Sequence, residues 1–176
     1  MGAHVTIIDE RDHVGWAASA TRVGDLTMTS VANMVDNIIG DLSAWWRPSF
    51  MKKMIRLNIL DHGNASGMEI GDDWVTAASF GTFSPTLGRL CGYFHQGAFV
   101  HLQHCEVGQN IGLMTQLADL WQVPVVAGRG LTNPVYRVNT GNFVRVYPLR
   151  RGQQRRQAND TFFFAASDPI FNQSSQ

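Results

Sequence analysis

The chain has 176 residues, no net formal charge and a hydrophobic fraction of 44%. These totals predict one domain with a sizeable core, and they argue against general disorder, a segment that spans a membrane, and a large basic surface for nucleic acid. Two cysteines are too few for a disulfide framework and fit a reducing compartment. The start lacks a basic segment followed by an apolar one, so we expect a cytoplasmic protein, or one exported without a classical signal peptide.

The first predicted strand covers residues 3–9 (AHVTIID). With Val14 and Gly15 after it, this strand resembles the second strand of a flavin-binding Rossmann domain, but no G-x-G-x-x-G turn precedes it. A flavin- or nucleotide-binding fragment is therefore kept only as an alternative, and no cofactor is expected. Apolar residues at helical spacing from Val31 to Trp45 then predict a helix that Thr29 or Ser30 caps and that ends at Arg47 and Pro48. We expect Trp45 and its neighbour Trp46 to pack in the core.

The second predicted strand covers residues 54–60 and ends two residues before His62. Residues 67–76 predict a small hairpin, which would form a flap beside His62. A helix should begin at Ser84 with Pro85 in its first turn and run to about residue 94. Cys91 lies on the apolar stripe of that helix, so we expect it to be structural.

The third predicted strand covers residues 99–104 and is followed directly by Cys105. Apolar spacing predicts a helix over residues 111–121, and residues 123–127 predict a fourth strand that ends before Arg129. Residues 135–147 predict a hairpin with a glycine-containing turn.

Composition changes near Pro148, which divides the chain into a domain of residues 1–148 and a tail of residues 149–176, docked or partly flexible. Four tail arginines are expected to be solvated, and three consecutive phenylalanines are expected to dock on the domain. These residues are Arg150, Arg151, Arg155, Arg156 and Phe162, Phe163, Phe164.

Two adjacent parallel strands would bring His62 and Cys105 to the same edge of the sheet. A cysteine near a helix N-terminus has its thiolate favoured, and a neighbouring histidine can act as its base. In this hypothesis Cys105 is the nucleophile. His62 accepts or holds its proton and then protonates the leaving amine.

The blocks at residues 60–71 (LDHGNASGMEIG) and 103–108 (QHCEVG) resemble the caspase-like cysteine peptidases, clan CD. That clan contains caspases, gingipains, clostripain, legumain and the self-cleaving domains of large bacterial toxins. The resemblance covers about residues 54–148 and is greatest to an uncharacterised bacterial branch. The chain lacks the Gln-Ala-Cys-Arg-Gly signature of true caspases, so aspartate specificity is not implied.

The resemblance implies a three-layer α/β/α sandwich with a mostly parallel caspase-like sheet of five or six strands. It also implies an endopeptidase that acts through a thioester acyl-enzyme, with the backbone N–H groups of Gly63 and Cys105 as oxyanion donors. A protein or peptide, possibly the chain itself, would be the substrate, and no cofactor, nucleic acid or membrane span is expected.

Several nearby residues have more than one interpretation. Asp61 could orient His62 or cap the strand end, and His104 is a supporting or packed residue. Glu106 could bind a basic substrate side chain or sit favourably at a helix start. A specificity pocket could be acidic, using Asp72, Asp73 or Glu106, or basic, using Arg129 or Arg137.

Two alternatives to the peptidase remain open. The residues His101, His104 and Cys105 supply ligand types for zinc, but on a strand His104 would face away from the other two. The other alternative is a non-catalytic caspase-like module that binds a partner or has a structural role.

Overall fold

The computed structural model describes residues 2–9, 25–133 and 138–149, together with the backbone of the strand Gln157–Asp160. Short 3-10 turns cover Ser49–Met51, Gly88–Tyr93 and Val107–Gln109. The helices are α1 (Val31–Ser43), α2 (Phe80–Leu87) and α3 (Ile111–Trp121). The strands are β1 (Ala3–Asp9), β2 (Leu26–Met28), β3 (Met54–Leu60), β4 (Gly63–Asn64), β5 (Gly67–Ile70), β6 (Asp73–Thr76), β7 (Phe94–Leu102), β8 (Val125–Gly128), β9 (Thr132–Asn133), β10 (Val138–Asn139), β11 (Phe143–Val146) and β12 (Gln157–Asp160).

A mostly parallel sheet forms the centre of the described structure. Its seven strands follow the order β2-β1-β3-β7-β8-β11-β12. The first five are parallel to one another, β11 runs antiparallel to β8, and β12 runs antiparallel to β11. A three-stranded sheet (β4-β5-β6) and a two-stranded one (β9-β10) lie outside it.

One face of the main sheet is apolar. Val5, Leu57, Val100, Val125 and Val146 lie level with one another on five adjacent strands, and all are buried. The apolar sides of α1, α2 and α3 pack in the same core cluster as these valines and leucine. The connections that contain these helices join β2 to β3, β3 to β7 and β7 to β8, so they all advance in one direction across the sheet. Connections of the same hand that advance the same way place their helices on the same face.

The opposite face of the sheet is polar along its middle. Thr6, Asn58, His101, Val126 and Arg145 form the corresponding row there. Asn58 and His101 are buried, although no helix of the described ranges packs on them. The described part of the chain therefore forms a mixed α/β fold with helices on one face of a mostly parallel sheet. A third layer is not present among the described residues.

The first two long strands are confirmed to the residue, but the end of the first helix is not. Helix α1 ends at Ser43, because Ala44 has left helical geometry with φ −54° and ψ 137°. Trp45 and Trp46 therefore lie beyond the helix and are 92% and 60% exposed. The expectation that these two tryptophans pack in the core was wrong.

Helix α2 begins at Phe80, four residues before the predicted start. Pro85 lies inside the helix and cannot donate to the carbonyl of Gly81. The hydroxyl of Ser84 donates to that carbonyl at 3.3 Å, which helps the helix accommodate the proline. Cys91 follows in a 3-10 turn and is exposed, not packed in the core; its Sγ donates to the carbonyl of Leu120.

Of the hairpin predicted over residues 135–147, residues 135–137 lie outside the described residues, and the described strands β10 and β11 do not pair with each other. Strand β10 pairs with β9, while β11 enters the main sheet between β8 and β12. The main sheet therefore continues to residue 160, and part of the stretch predicted as a tail supplies its edge strand. The four tail arginines and the three phenylalanines lie outside the described residues.

No helix in the part of the chain that the structure describes has the length and apolarity needed to cross a bilayer.

Candidate functional site

The two sequence motifs follow neighbouring strands of the main sheet. Strands β3 and β7 are adjacent and parallel, with Ile59 directly opposite Leu102. The N–H of Gln103 donates to the carbonyl of Ile59 at 2.8 Å, which continues this register past the end of β7. His62 and Cys105 each lie three residues beyond the Ile59–Leu102 pair, in the segments that follow β3 and β7 at the carboxyl edge of the sheet.

Gly63 packs directly against the segment that carries Cys105. A Cβ atom at Gly63 would lie 2.8 Å from Cγ2 of Val107, 2.9 Å from Cβ of His104 and 3.2 Å from the carbonyl oxygen of Cys105. Contacts below 3.0 Å leave no room for a side chain, so only glycine allows this approach. The residue after His62 is thus small because the two motif segments touch there.

The peptide unit of Glu69 bridges the two motif segments. Its N–H donates to the carbonyl of His62 at 2.9 Å, and its carbonyl oxygen accepts from Nε2 of His104 at 3.0 Å. Glu69 belongs to β5, which pairs with both β4 and β6, so the predicted flap hairpin forms and gains a third short strand. The flap therefore holds His62 and the Cys105 segment in a fixed relation.

Asp61 binds backbone groups on both sides. Its Oδ1 accepts from the N–H of His62 at 2.7 Å, and its Oδ2 accepts from the N–H of Gly71 at 2.9 Å. The carboxylate is 3% exposed and caps the strand end while fixing the β5–β6 turn. Through these bonds Asp61 holds the backbone of His62.

The thiol of Cys105 lies half-buried against Thr132. The backbone N–H of Thr132 donates to Sγ at 3.3 Å, and Sγ lies 3.9 Å from the carbonyl oxygen of Thr132. The Thr132 hydroxyl donates to the carbonyl of His104 at 3.0 Å. Three contacts thus fix the β9 strand to the residues at and before Cys105.

Asn139 holds the loop that presents Thr132. Its Oδ1 accepts from the N–H groups of Gly130 and Gly141, both at 2.9 Å. Its Nδ2 donates to the carbonyl of Gly130 at 2.7 Å and to Oγ1 of Thr132 at 2.8 Å. Gly128 gives the side chain room, since a Cβ there would lie 2.1 Å from Cγ of Asn139.

Sequence reasoning missed both Thr132 and Asn139. The Asn-Thr-Gly turn at residues 139–141 was recognised only as a hairpin signal. Nothing local in the sequence places β9 and β10 beside Cys105, because that placement depends on β11 entering the main sheet.

Glu106 adopts a left-handed conformation with φ 56°. Its N–H donates to the carbonyl of Gly130 and its own carbonyl accepts from the N–H of Gln109, both at 2.8 Å. A 3-10 turn follows, and α3 starts only at Ile111, where Asn110 is its N-cap. Cys105 is therefore separated from the N-terminus of α3 by a turn, which differs from the close placement that the sequence predicted.

The charged candidates for a specificity pocket lie in two different places. Arg129 is half-buried at the end of β8, and its carbonyl accepts from Nε2 of Gln109 at 2.9 Å. Asp72 is exposed in the β5–β6 turn, which contacts Thr29 after β2. Asp73 accepts from the N–H of Val31 at 2.8 Å. Strand β2 is three positions from β7 in the sheet, roughly 14 Å.

Arg137 lies outside the described residues.

Two buried histidines near the site are held neutral. Burial lowers the pKa of His101 to about 3, with help from the charges of Arg56 and His104. Burial also lowers the pKa of His104 to about 4, with His62 contributing in the same direction and the bond to Glu69 opposing it. The proton of His104 sits on Nε2, because that nitrogen faces a carbonyl oxygen, and its Nδ1 is buried with no hydrogen-bond partner.

These low pKa values give the folded protein a definite pH dependence. An unfolded histidine takes up a proton near pH 6.5, whereas His101 and His104 stay neutral until about pH 3 and 4. Between those values the unfolded state binds more protons than the folded state. Stability is therefore fully present above about pH 6.5 and falls as the pH drops below it.

The zinc alternative finds no support in the arrangement of its three residues. His101 lies in the polar row of the sheet, and Nε2 of His104 is bound to a carbonyl. In the ranges that the structure covers, no three histidine, cysteine, aspartate or glutamate residues are grouped so that they could hold a metal ion.

Comparisons with known protein-family models and with curated proteins returned no match to this chain.

Proposed function

We propose that the chain is a caspase-like cysteine endopeptidase in which Cys105 and His62 form the catalytic dyad. The observation that carries the proposal is the parallel pairing of β3 with β7, in which His62 and Cys105 lie equally far beyond the Ile59–Leu102 pair. Gly63 supports it, because the chain at His62 packs on the Cys105 backbone with no intervening side chain.

The chemistry assigned to the dyad is acyl transfer. The Cys105 sulfur, its proton held by His62, attacks the carbonyl carbon of the scissile peptide bond. The tetrahedral intermediate collapses when the C–N bond breaks, and His62 donates the proton to the leaving amine. Water then attacks the thioester with His62 as base, which releases the carboxyl product and returns the thiol.

The oxyanion donors in this proposal are the backbone N–H groups of Gly63 and Cys105. Both belong to the segments that the Glu69 bridge and the Gly63 contact hold together. A donor of this kind contributes on the order of 100-fold to the rate in well-studied hydrolases. The tight packing at Gly63 thus serves the reaction by fixing a donor.

The specificity pocket is proposed to lie beside Arg129 and Glu106. The Glu106 N–H binds the carbonyl of Gly130, so the two charged residues lie in adjoining backbone segments. Asp73 accepts a hydrogen bond from Val31 at the start of α1, so it lies near β2 at the far side of the main sheet. An acidic residue before the scissile bond would indicate Arg129, and a basic residue would indicate Glu106.

The three-layer α/β/α architecture is part of the same proposal. Arg56, Asn58 and His101 on the polar face are 3%, 7% and 5% exposed, without a described helix on them. Side chains buried to this degree require a covering layer. The proposed third layer is that cover.

The test is cleavage of a peptide mixture varied at the residue before the scissile bond. Cys105→Ala and His62→Ala should each abolish cleavage, whereas Cys91→Ala should leave it unchanged, because Cys91 is the chain's other cysteine and lies near α3 in a separate turn. Cleavage that survives Cys105→Ala would remove the dyad from the account.

The second candidate function is a non-catalytic caspase-like module. It is favoured by one observation: the hydrogen bonds that the structure gives to Sγ of Cys105 join it to the backbone of Thr132. A thiol held in that way can be a structural group. If no peptide of the mixture is cleaved, even with calcium added as an activator, the non-catalytic module is the favoured function.

A further inference from the structure

We propose that the segment after helix α1 is a docking surface for anionic lipid bilayers. We call it the aromatic-basic patch and define it by Trp45, Trp46, Phe50, Lys52 and Lys53. The proposal is independent of the peptidase assignment, because the patch lies at the other edge of the sheet.

The patch presents large apolar side chains to solvent. Trp45 is 92% exposed, Trp46 is 60% exposed and Phe50 is 53% exposed. Isolated exposed apolar residues are ordinary, but three exposed aromatic rings within six residues form a group of the kind that marks an interaction site.

The local backbone holds these rings away from the core. Arg47 donates from Nε to the Asp41 carbonyl at 3.0 Å, and its guanidinium also pairs with the Asp41 carboxylate. The guanidinium carbon lies 5.4 Å from the centre of the Trp46 ring. A 3-10 turn at Ser49–Met51 then presents Phe50, so the rings project from a fixed turn.

The two lysines of the patch have no acidic residue in their own segment, and Arg47, the third cation there, pairs with Asp41. Residues 44–53 contain Arg47, Lys52 and Lys53 and no aspartate or glutamate, and Lys52 and Lys53 are the only lysines in the chain. Both are exposed. Both lysines of a chain with no net charge therefore lie beside the most exposed tryptophans of the described residues.

This combination fits the interface of an anionic bilayer. Indole rings are amphipathic and favour the headgroup level of a membrane, and phenylalanine inserts its ring below it. Each lysine near an anionic surface contributes roughly fivefold in affinity. A protein partner would more often be met by a broad, complementary interface than by a projecting turn with two lysines at its base.

The position of the patch leaves the candidate catalytic edge open. Helix α1 ends and β3 begins at the amino edge of the sheet, whereas Cys105 lies beyond the carboxyl end of β7, which is parallel to β3. Seven residues of strand separate these edges, about 20 Å. A bilayer bound at the patch would therefore leave Cys105 facing water.

The experiment is sedimentation with vesicles of phosphatidylcholine that contain 30% phosphatidylserine, compared with pure phosphatidylcholine vesicles. We expect binding to the anionic vesicles that weakens with salt, and quenching of tryptophan fluorescence by brominated lipid, which reports ring insertion directly. Trp45→Ser/Trp46→Ser/Phe50→Ser should lose at least tenfold in affinity, and Lys52→Gln/Lys53→Gln roughly 25-fold at low salt.

The matched control is Trp74→Ser, which removes a 38% exposed tryptophan on the flap and should bind vesicles like the unaltered chain. Circular dichroism should show that the triple variant is folded, since its three side chains are exposed. No binding to anionic vesicles, or binding that the triple variant retains, overturns the proposal. A dimer that the triple variant converts to monomers, without vesicle binding, also overturns it and assigns the patch to a second copy.

Discussion

The Asn139 side chain is expected to be a main support of the loop against Cys105. It makes four hydrogen bonds of 2.7–2.9 Å while it is only 5% exposed. A hydrogen bond contributes about 1 kcal/mol net, and a buried group left unpaired loses more. Because Asn139→Ala removes all four, we expect the free energy of unfolding to fall by roughly 3 kcal/mol.

Urea unfolding measures this loss, and amide exchange at Gly130 and Gly141 localises it. The matched control is Asn142→Ala, a change of the same kind at an exposed position three residues away, which should shift stability by less than about 0.5 kcal/mol. If Asn139→Ala were no more destabilising than Asn142→Ala, the reasoning that this side chain fixes the loop would be refuted.

Three further predictions concern the site and its surroundings. Gly63→Ala should destabilise the folded protein by about 1–3 kcal/mol and abolish cleavage, because its Cβ would lie within 3.2 Å of three atoms. The control Gly40→Ala on α1, whose Cβ would have no atom within 4 Å, should stabilise the folded protein by up to about 1 kcal/mol. The free energy of unfolding should fall by about 1.4 kcal/mol per buried histidine between pH 7.5 and pH 5.5. The variant His104→Gln keeps a donor for the Glu69 carbonyl and should remove one such contribution. If urea titrations gave this variant the same pH slope as the unaltered chain, the conclusion that His104 is buried and neutral would be contradicted. Asp73→Asn should weaken the cap of α1 by about 1 kcal/mol in thermal unfolding without altering substrate preference, and a changed preference would place this carboxylate in the pocket.

The strands that position the site were predictable because their patterns are local. Strands β1 and β3 are each a run of seven mostly buried residues, and both were predicted to the residue. The prediction that the strands before His62 and Cys105 are adjacent and parallel is confirmed by the pairing of β3 with β7.

The parts that failed depend on tertiary structure. Ser84 and Pro85 looked like a helix start, but the hydroxyl of Ser84 satisfies the carbonyl that Pro85 leaves open, so the helix extends four residues further back. Trp45 matched the helical period of α1, yet the chain leaves helical geometry at Ala44, and both Trp45 and Trp46 are exposed. Apolar spacing alone does not tell where a helix stops.

The central claim is that His62 acts on Cys105, and covalent trapping tests it most directly. A peptidyl acyloxymethyl ketone mixture, selected by the cleavage assay, would be reacted with the chain and the adduct located by mass spectrometry. The account predicts an adduct on Cys105 that forms at least 100-fold more slowly in His62→Ala, since general acid–base groups contribute on the order of 100-fold or more, and at an unchanged rate in Cys91→Ala. An adduct on Cys91 alone, or equal rates with and without His62, would contradict it.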